Sequence, residues 1–490
     1  MTQICAKVPG TRIRRCNDRP VRAGGAFVLY WMTANRRTRF NFALQRSLEL
    51  ARELGKPLLV LEALRCDYPY ASERLHASVL DGMADQREAF ERAGVAYYPF
   101  VEGHQGEGKG LLEALGRSAN CVVTDDSPAF FLPRMIEAAA RKLDVALEAV
   151  DSVGLLPLRA TPDVFPTAYA FRRFLQRSLL EHLGALPEKE PLRRARGLPR
   201  ATLPVEVLER WPAATEGALA GDGLASLPIA HGVGRAGPPG GQNEGSGRVR
   251  RFVAEGLGPY PEDRNKPELE ATSGLSPYLH FGHVSAHEVF QAVAESEDWS
   301  PEHTARRASG SREGWWGMGP AAEAFLDQLV TWRELGHNAA AHMPAYATFG
   351  SLPEWALRTL HKHASDPRPH RYSPQALEAA RTHDPLWNAA QRQLVREGRL
   401  HNYLRMLWGK KILEWSSSPK EALDVMLRLN DTYALDGRDP NSVSGVFWCL
   451  GRYDRPWGPE RSIFGTVRYM SSENTARKVR VGDYLRRYAE

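Results

Sequence analysis

The residues of this sequence best suited to chemistry crowd into its second half. The stretch LNDTYALDGRDPNSVSGVFWCLGRYDRPW (429–457) sets two carboxylates, Asp436 and Asp439, in a DGRDPN run of turn formers. Upstream, Arg405 stands in LRMLWGKKILEW. If Asp436 faces Arg405, the pair makes a charge-balanced wall for the polar edge of a ring; a solvated loop between two helices would use the same residues. Trp408 and Trp415 are seven residues apart on one predicted helix, so their indoles share a face about 10.5 Å apart in rise. Trp387, on the preceding helix, could pack alongside. Such a row can carry an electron hole from a buried redox centre to the surface, and it can equally be core packing.

Weaker signals surround these. FLDQLVTWRELGHN (325–338) reads as an amphipathic helix with Gln328 and Trp332 on one face. An amide beside an indole can grip a flat heterocycle by edge and face; a core Trp next to a surface ion pair is the plainer alternative. ATSGLSPYLHFG (271–282) gathers small hydroxyl residues, Gly and Pro ahead of a helix expected from about Ser285, which suits a phosphate group or a simple N-cap and turn. Trp448 and Trp457 could stack on splayed bases. Residues 466–490 hold six Lys or Arg against three Asp or Glu, a balance that suits phosphate contact. Nine of the twelve Trp fall between Trp315 and Trp457, which points to an aromatic-lined site in that half.

Positioning these groups takes more than one core, because 490 residues exceed a single ordinary domain. Short apolar runs at 26–32, 57–64, 95–101, 121–125 and 145–150 alternate with amphipathic stretches at 41–54, 76–93 and 133–143. That alternation predicts right-handed βαβ units and a parallel, doubly wound, Rossmann-like sheet. No GxGxxG follows the first run, so a conventional dinucleotide site is not indicated. From 186 to 247 Pro, Gly and charged residues dominate, and HGVGRAGPPGGQNEGSGRVR (231–250) offers nothing to a core. Beyond it the pattern is helical, broken at 296–319 by a loop or insertion and at Gly398 between two helices. The expected layout is a tail at 1–20, an α/β domain at 21–185, a linker at 186–247 and an all-α domain at 248–490.

Composition removes other classes. No apolar run approaches the ~20 residues that span a bilayer, and the N-terminus lacks a signal-peptide segment, so a cytoplasmic protein is expected. Cys5, Cys16, Cys66, Cys121 and Cys449 lie far apart, which argues against a zinc site or disulfide framework. His361 and His363 lack a carboxylate-rich or HExxH context, and no metal is expected. A net charge of +6 admits a polyanionic partner without requiring one.

Taken in order, TSGLSPYLHFG, LVTWRELGHN, THDPLWNAAQ…LRMLWGKKILEW and LNDTYALDGRDPN resemble the cofactor domain of class II cyclobutane pyrimidine dimer photolyases. YWMTANRRTRFNFAL (30–44) is similar to the same class. The resemblance covers most of the chain apart from the first dozen residues, the Gly-rich linker and the 296–319 insertion. It implies an α/β antenna domain followed by an all-α FAD-binding domain. It also implies light-driven repair of dimers in ultraviolet-damaged DNA by electron transfer from excited FADH⁻. The resemblance places the FAD phosphates near Tyr260, Thr272, Ser273, Leu275 and Ser276, and the ring edge beside Arg405, Asn430, Asp436, Gly437 and Asp439. Trp408, Trp387 and Trp415, in that order outward, correspond to the relay that photoreduces the flavin. Gln328, Trp332, Met406, Trp448 and Trp457 correspond to the lesion pocket, with Arg477 and Lys478 as further DNA contacts. Gln328 departs from the commonest pattern, where a glutamate stands. An amide can still donate a hydrogen bond but supplies neither proton nor charge. An antenna pigment, deazaflavin or folate, is conceivable, and a monomer without an obligate protein partner or membrane is expected. A photoreceptor on the same fold would carry a long tail beyond Tyr484. A non-catalytic nucleic-acid-binding module would leave the DGRDPN loop and the Trp spacing unexplained.

Overall fold

The computed structural model describes residues 7–490; Cys5 and the start of the expected tail lie outside them. Two compact units divide the chain. One holds the residues up to Pro162 with Arg177–Val253 and Gly274–Thr304; the other holds Asp163–Gln176, Ala254–Ser273 and Ala305–Glu490.

The first unit is built on a six-stranded sheet: β1 (Ile13–Arg15), β2 (Phe27–Met32), β3 (Leu58–Leu64), β4 (Ala96–Val101), β5 (Ala119–Asp125) and β6 (Leu147–Val150). All six residues of β2, FVLYWM, are buried, as a strand covered on both faces requires. The order β1-β6-β5-β2-β3-β4 places β2 where the chain, having run out to β4, returns to β5 on the other side. β2 to β6 are parallel, as the alternation predicts. β1 pairs antiparallel with β6 and makes the sheet mixed. Its three residues, IRR, are too short to show a strand period in the sequence. Helices Phe42–Leu54, Glu73–Arg92, Leu111–Ser118 and Leu132–Lys142 alternate with the strands.

At the carboxyl ends of β2 and β5 a polar knot closes the sheet. Asp125 accepts from the backbone N–H groups of Thr33, Ala34 and Asn35 (2.8, 2.8 and 3.0 Å), from Tyr30 Oη (2.7 Å) and from Asn35 Nδ2 (3.0 Å). Burial and the adjoining carboxylate drive the Tyr30 phenol well above its ordinary pKa. Asn41 caps the Phe42–Leu54 helix, accepting from Ala43 and Leu44 N–H, while its amide donates to Asn35 and Arg37 carbonyls. Arg37 donates to the Gly282 carbonyl at 3.0 Å. Gly282 has φ 76°, and a Cβ there would stand 1.8 Å from the Ala34 carbonyl oxygen, so only glycine fits. Within the Pro- and Gly-rich stretch lie short helices at Val205–Arg210 and Glu216–Ala220, and Trp211 is buried in the sheet's apolar core.

The second unit is helical. Pro385–Glu397, Asn402–Trp415, Pro419–Tyr433 and Pro440–Trp448 surround a core that includes Trp387, Leu404, Leu407, Trp408, Trp415, Met426 and Phe447. Three of these helices start alike: Asp384, Ser418 and Asp439 cap them, and a proline follows at the first position. Gly398, at φ 69°, ends the first in the left-handed conformation, as expected. The 325–338 stretch is helical but not uniformly α: a π segment, Asp327–Trp332, lies between Pro320–Leu326 and Arg333–His342. Among the described residues no helix is long and apolar enough to cross a membrane.

Candidate functional site

The helical unit brings Arg405, Asn430, Asp436 and Ser442 together from separate elements. Arg405, on the Asn402–Trp415 helix, donates to Ser442 Oγ (3.0 Å), to Asn430 Oδ1 (3.3 Å) and to both oxygens of Asp436 (3.4 and 3.5 Å). The facing carboxylate and guanidinium anticipated from the DGRDPN turn are therefore present. Both side chains keep some exposure, 15% and 17%, and Asp436 takes no other hydrogen bond among the described residues. Asn430 is buried at the end of Pro419–Tyr433 and donates to Asp431 Oδ1 at 2.9 Å. Asp431 in turn accepts the Arg438 N–H, which fixes the turn. A Cβ on Gly437 would lie 2.8 Å from the Asn430 carbonyl oxygen, so the loop can close this tightly only with glycine there. Asp439 caps the Pro440–Trp448 helix through Asn441 N–H (2.8 Å).

About one turn beyond Arg405, on the same helix, Trp408 begins the Trp row. Trp387 Nε1 donates to the Trp408 carbonyl (3.0 Å), and Trp408 Nε1 to Gln391 Oε1 (2.9 Å). The Trp387 and Trp415 rings meet edge to face, centroids 5.4 Å apart. All three indoles are buried, Trp415 included. Beyond Trp415 stand Tyr372 and the exposed His383, at 5.3 and 5.4 Å between centroids.

A second wall forms where the Arg333–His342 and Pro440–Trp448 helices touch. Gly336 makes this possible, since a Cβ there would lie 2.9 Å from the Pro440 carbonyl oxygen. One turn before it, Trp332 stacks on Trp448 with centroids 4.7 Å apart and planes 20° apart. Both indoles and Gln328 are partly exposed. Met406 reaches the same helix through Cys449 Sγ, 3.7 Å from its sulfur. Trp457 stands apart on a loop, 37% exposed, with the Arg455 and Arg468 guanidinium carbons 4.9 and 5.2 Å from its ring. Arg477 and Lys478 are exposed at the end of Ser472–Lys478.

The motif at 271–282 falls across the boundary of the two units. Thr272 and Ser273 belong to the helical unit, Leu275 and Ser276 to the sheet unit. Tyr260 is buried, edge-on to Phe325, with its phenol pKa raised by burial.

Sequence reasoning missed several partners. Ser442 bridges Arg405 and Asn430, and its only signal is its place two residues after the DP cap. Arg248 packs its guanidinium over Gly274, 2.6 Å from where a Cβ would be. Lys410 is buried with Nζ 2.5 Å from the Cys449 carbonyl, and burial lowers its pKa to about 8. Among the described residues no group of three or more His, Cys, Asp or Glu is placed to hold a metal ion.

A six-stranded mixed sheet joined to many helices is consistent with the architecture of photolyases. A class III photolyase from Agrobacterium tumefaciens has the same fold, with TM-score 0.63 at 18% identity over 95% of this chain and 86% of that one. No protein-family model matches the chain. Whole-length relatives do: a deoxyribodipyrimidine photo-lyase of Methanothermobacter thermautotrophicus is 35% identical over 477 residues, covering 97% of both chains. Those of Oryza sativa subsp. japonica and Potorous tridactylus are each 32% identical, covering 97% and 94% of this chain and 90% and 81% of theirs. The chain belongs to the deoxyribodipyrimidine photo-lyase family.

Proposed function

We propose that this protein repairs cyclobutane pyrimidine dimers in ultraviolet-damaged DNA, driven by light, as a class II enzyme of its family. The observation that carries the reading is the Arg405–Asp436 pair with Asn430 and Ser442, a set of donors and acceptors that matches the polar edge of a flavin. A guanidinium, a carboxylate with free acceptor capacity and a buried amide offer both hydrogen-bond polarities in one place. The residues present thus fit FAD, with Asn430 and Arg405 holding its ring edge and, in the same unit, Tyr260, Thr272 and Ser273 serving the rest. Bound and reduced, FAD would supply the excited electron that splits the cyclobutane and the acceptor to which it returns.

The chain's own residues do the remainder. Trp332 and Trp448 present one stacked aromatic wall, against which an extruded dimer can stack in place of its neighbours in the duplex; photolyases are a known case of base flipping. Gln328, four residues from Trp332, turns an amide toward a pyrimidine carbonyl and offers a hydrogen bond without charge. Met406 adds apolar surface next to Trp448, Trp457 on its separate loop offers a further face for a base, and Arg477 and Lys478 meet phosphates. Trp408, Trp387 and Trp415, linked by the Trp387 Nε1–Trp408 carbonyl hydrogen bond and the Trp387–Trp415 edge-to-face contact, offer a path for an electron across the core, used to bring the cofactor to its reduced form. An antenna pigment of the deazaflavin or folate class, at the carboxyl ends of the strands, belongs to the same reading.

The test is purified protein with an oligonucleotide carrying one thymine dimer, in the dark and under near-ultraviolet or blue light. Restoration of intact thymines only in the light supports the reading; a flavin-free protein, or equal dimer content in light and dark, overturns it. In the Trp408→Phe variant, photoreduction of oxidised flavin should slow at least tenfold while repair by dithionite-reduced protein persists. Normal photoreduction would reduce the Trp row to packing.

A further inference from the structure

The loop at 305–319, ARRASGSREGWWGMG, lies outside every motif used so far. It holds Arg306, Arg307 and Arg312 against one carboxylate, Glu313. All three arginines are exposed, and none forms an ion pair or side-chain hydrogen bond among the described residues. A merely solvated face would interleave acids with these bases.

The backbone beneath them is held from inside. Glu323, buried on the Pro320–Leu326 helix, accepts the N–H groups of Gly314, Gly317 (3.0 Å) and Met318 (3.4 Å). Trp315 and Trp316 are both buried. Further back, Gly310 donates to Gln176 Oε1 (2.7 Å), and its carbonyl accepts from Arg172 (3.2 Å). The same guanidinium pairs with Asp327 at 2.7 Å, both side chains 8% exposed. Buried charge is costly unless partnered, and here Asp327 and the loop carbonyl of Gly310 share the partnering. Asp327 immediately precedes Gln328, so one guanidinium ties the arginine loop to the start of the π segment that carries Gln328 and Trp332.

The patch extends onto the Ala168–Ser178 helix. A Cβ on Gly310 would lie 2.8 Å from the Tyr169 ring and 3.3 Å from Arg173 Cβ. Tyr169 is 56% exposed, and Arg173 is exposed and unpaired. Three unpaired arginines on one loop, with a fourth and an exposed Tyr169 on the helix against which that loop packs at Gly310, make a basic surface with an aromatic face that suits a polyanion offering stacking surface.

We propose that Arg306, Arg307 and Arg312, with Arg173 and Tyr169 beside them, form a second contact surface for the nucleic-acid backbone, engaging phosphates that flank the lesion. The inference rests on the DNA-repair reading above. It is tested by fluorescence anisotropy of a labelled dimer-containing duplex across a salt series, using wild type and the triple variant Arg306→Gln, Arg307→Gln, Arg312→Gln. Each phosphate contact contributes about 0.9 to the slope of log affinity against log salt, so the variant's slope should fall by about 2 to 3. Flavin content and repair of bound dimer at saturating DNA should stay at wild-type values. The variant with Lys at the same three positions should restore the slope, because a point charge suffices for a phosphate. A triple variant with slope and affinity within twofold of wild type overturns this inference alone. A wild type that binds no DNA overturns it together with the repair reading.

Discussion

Two polar clusters, one in each unit, use the same chemistry to opposite ends. Around Asp125 a carboxylate receives five hydrogen bonds, two from side chains and three from backbone, in a fully buried setting. Around Arg405 the contacts are longer, 3.0 to 3.5 Å, and Asp436 has capacity left over. A saturated network specifies a backbone; an unsaturated one, kept partly open, can receive a ligand. By that criterion YWMTANRRTRFNFAL marks how the sheet is closed, while LNDTYALDGRDPN marks the cluster proposed to receive the flavin.

Breaking the saturated cluster should cost the fold. Asp125→Ala strands three backbone N–H groups and two side-chain donors at once, and we expect a loss of at least about 3 kcal/mol in urea unfolding. A loss below 1 kcal/mol would mean that the knot is not what closes the sheet.

Acid should open the same unit at His283. Burial, with Arg36 adding to it, lowers the imidazole pKa from 6.5 to about 3, and its Nδ1 accepts the Gly241 N–H at 2.9 Å, which a protonated ring cannot do. The folded value lies below the unfolded one, so this stability is present above pH 6.5 and is lost as pH falls toward 3. The difference between wild type and His283→Gln should therefore shrink by about 2–3 kcal/mol between pH 6.5 and 4.5. A difference that does not change with pH contradicts the assignment.

On the open side effects should be smaller and functional. Gln328→Ala should weaken dimer binding by about 0.5–1.5 kcal/mol, the worth of one hydrogen bond, with flavin content unchanged. Gln328→Glu sharpens this: a protonated carboxyl can donate to the lesion and an ionised one repels developing negative charge, so its repair yield should fall as pH rises. Flat, identical profiles with an unaffected Ala variant would place Gln328 away from the lesion.

Local chemistry made much of this legible in the sequence. Gly398 and Ser285 end and begin helices where expected, and the five apolar runs became β2 to β6. The residues alone leave Asp436 either facing Arg405 or in a solvated loop, and it is the resemblance to photolyases that implies the pair the structure holds. What the sequence hid is long-range. β1 exists only because β6 offers an edge, and Trp211 enters the sheet core, its backbone carbonyl taking the Tyr98 hydroxyl, from a stretch whose composition says linker. The π segment at Asp327–Trp332 has no compositional signature. Its first residue, Asp327, is paired with Arg172, 155 residues away.

The central claim is that the unsaturated cluster at Arg405 and Asp436 is the flavin site. Asp436→Ala tests it most directly, read as FAD affinity by titrating flavin fluorescence into stripped protein alongside wild type, with urea unfolding of both. The account predicts at least a tenfold weaker FAD affinity with unfolding midpoints that nearly coincide. Wild-type FAD affinity and an unaltered flavin absorption spectrum in the variant would contradict it.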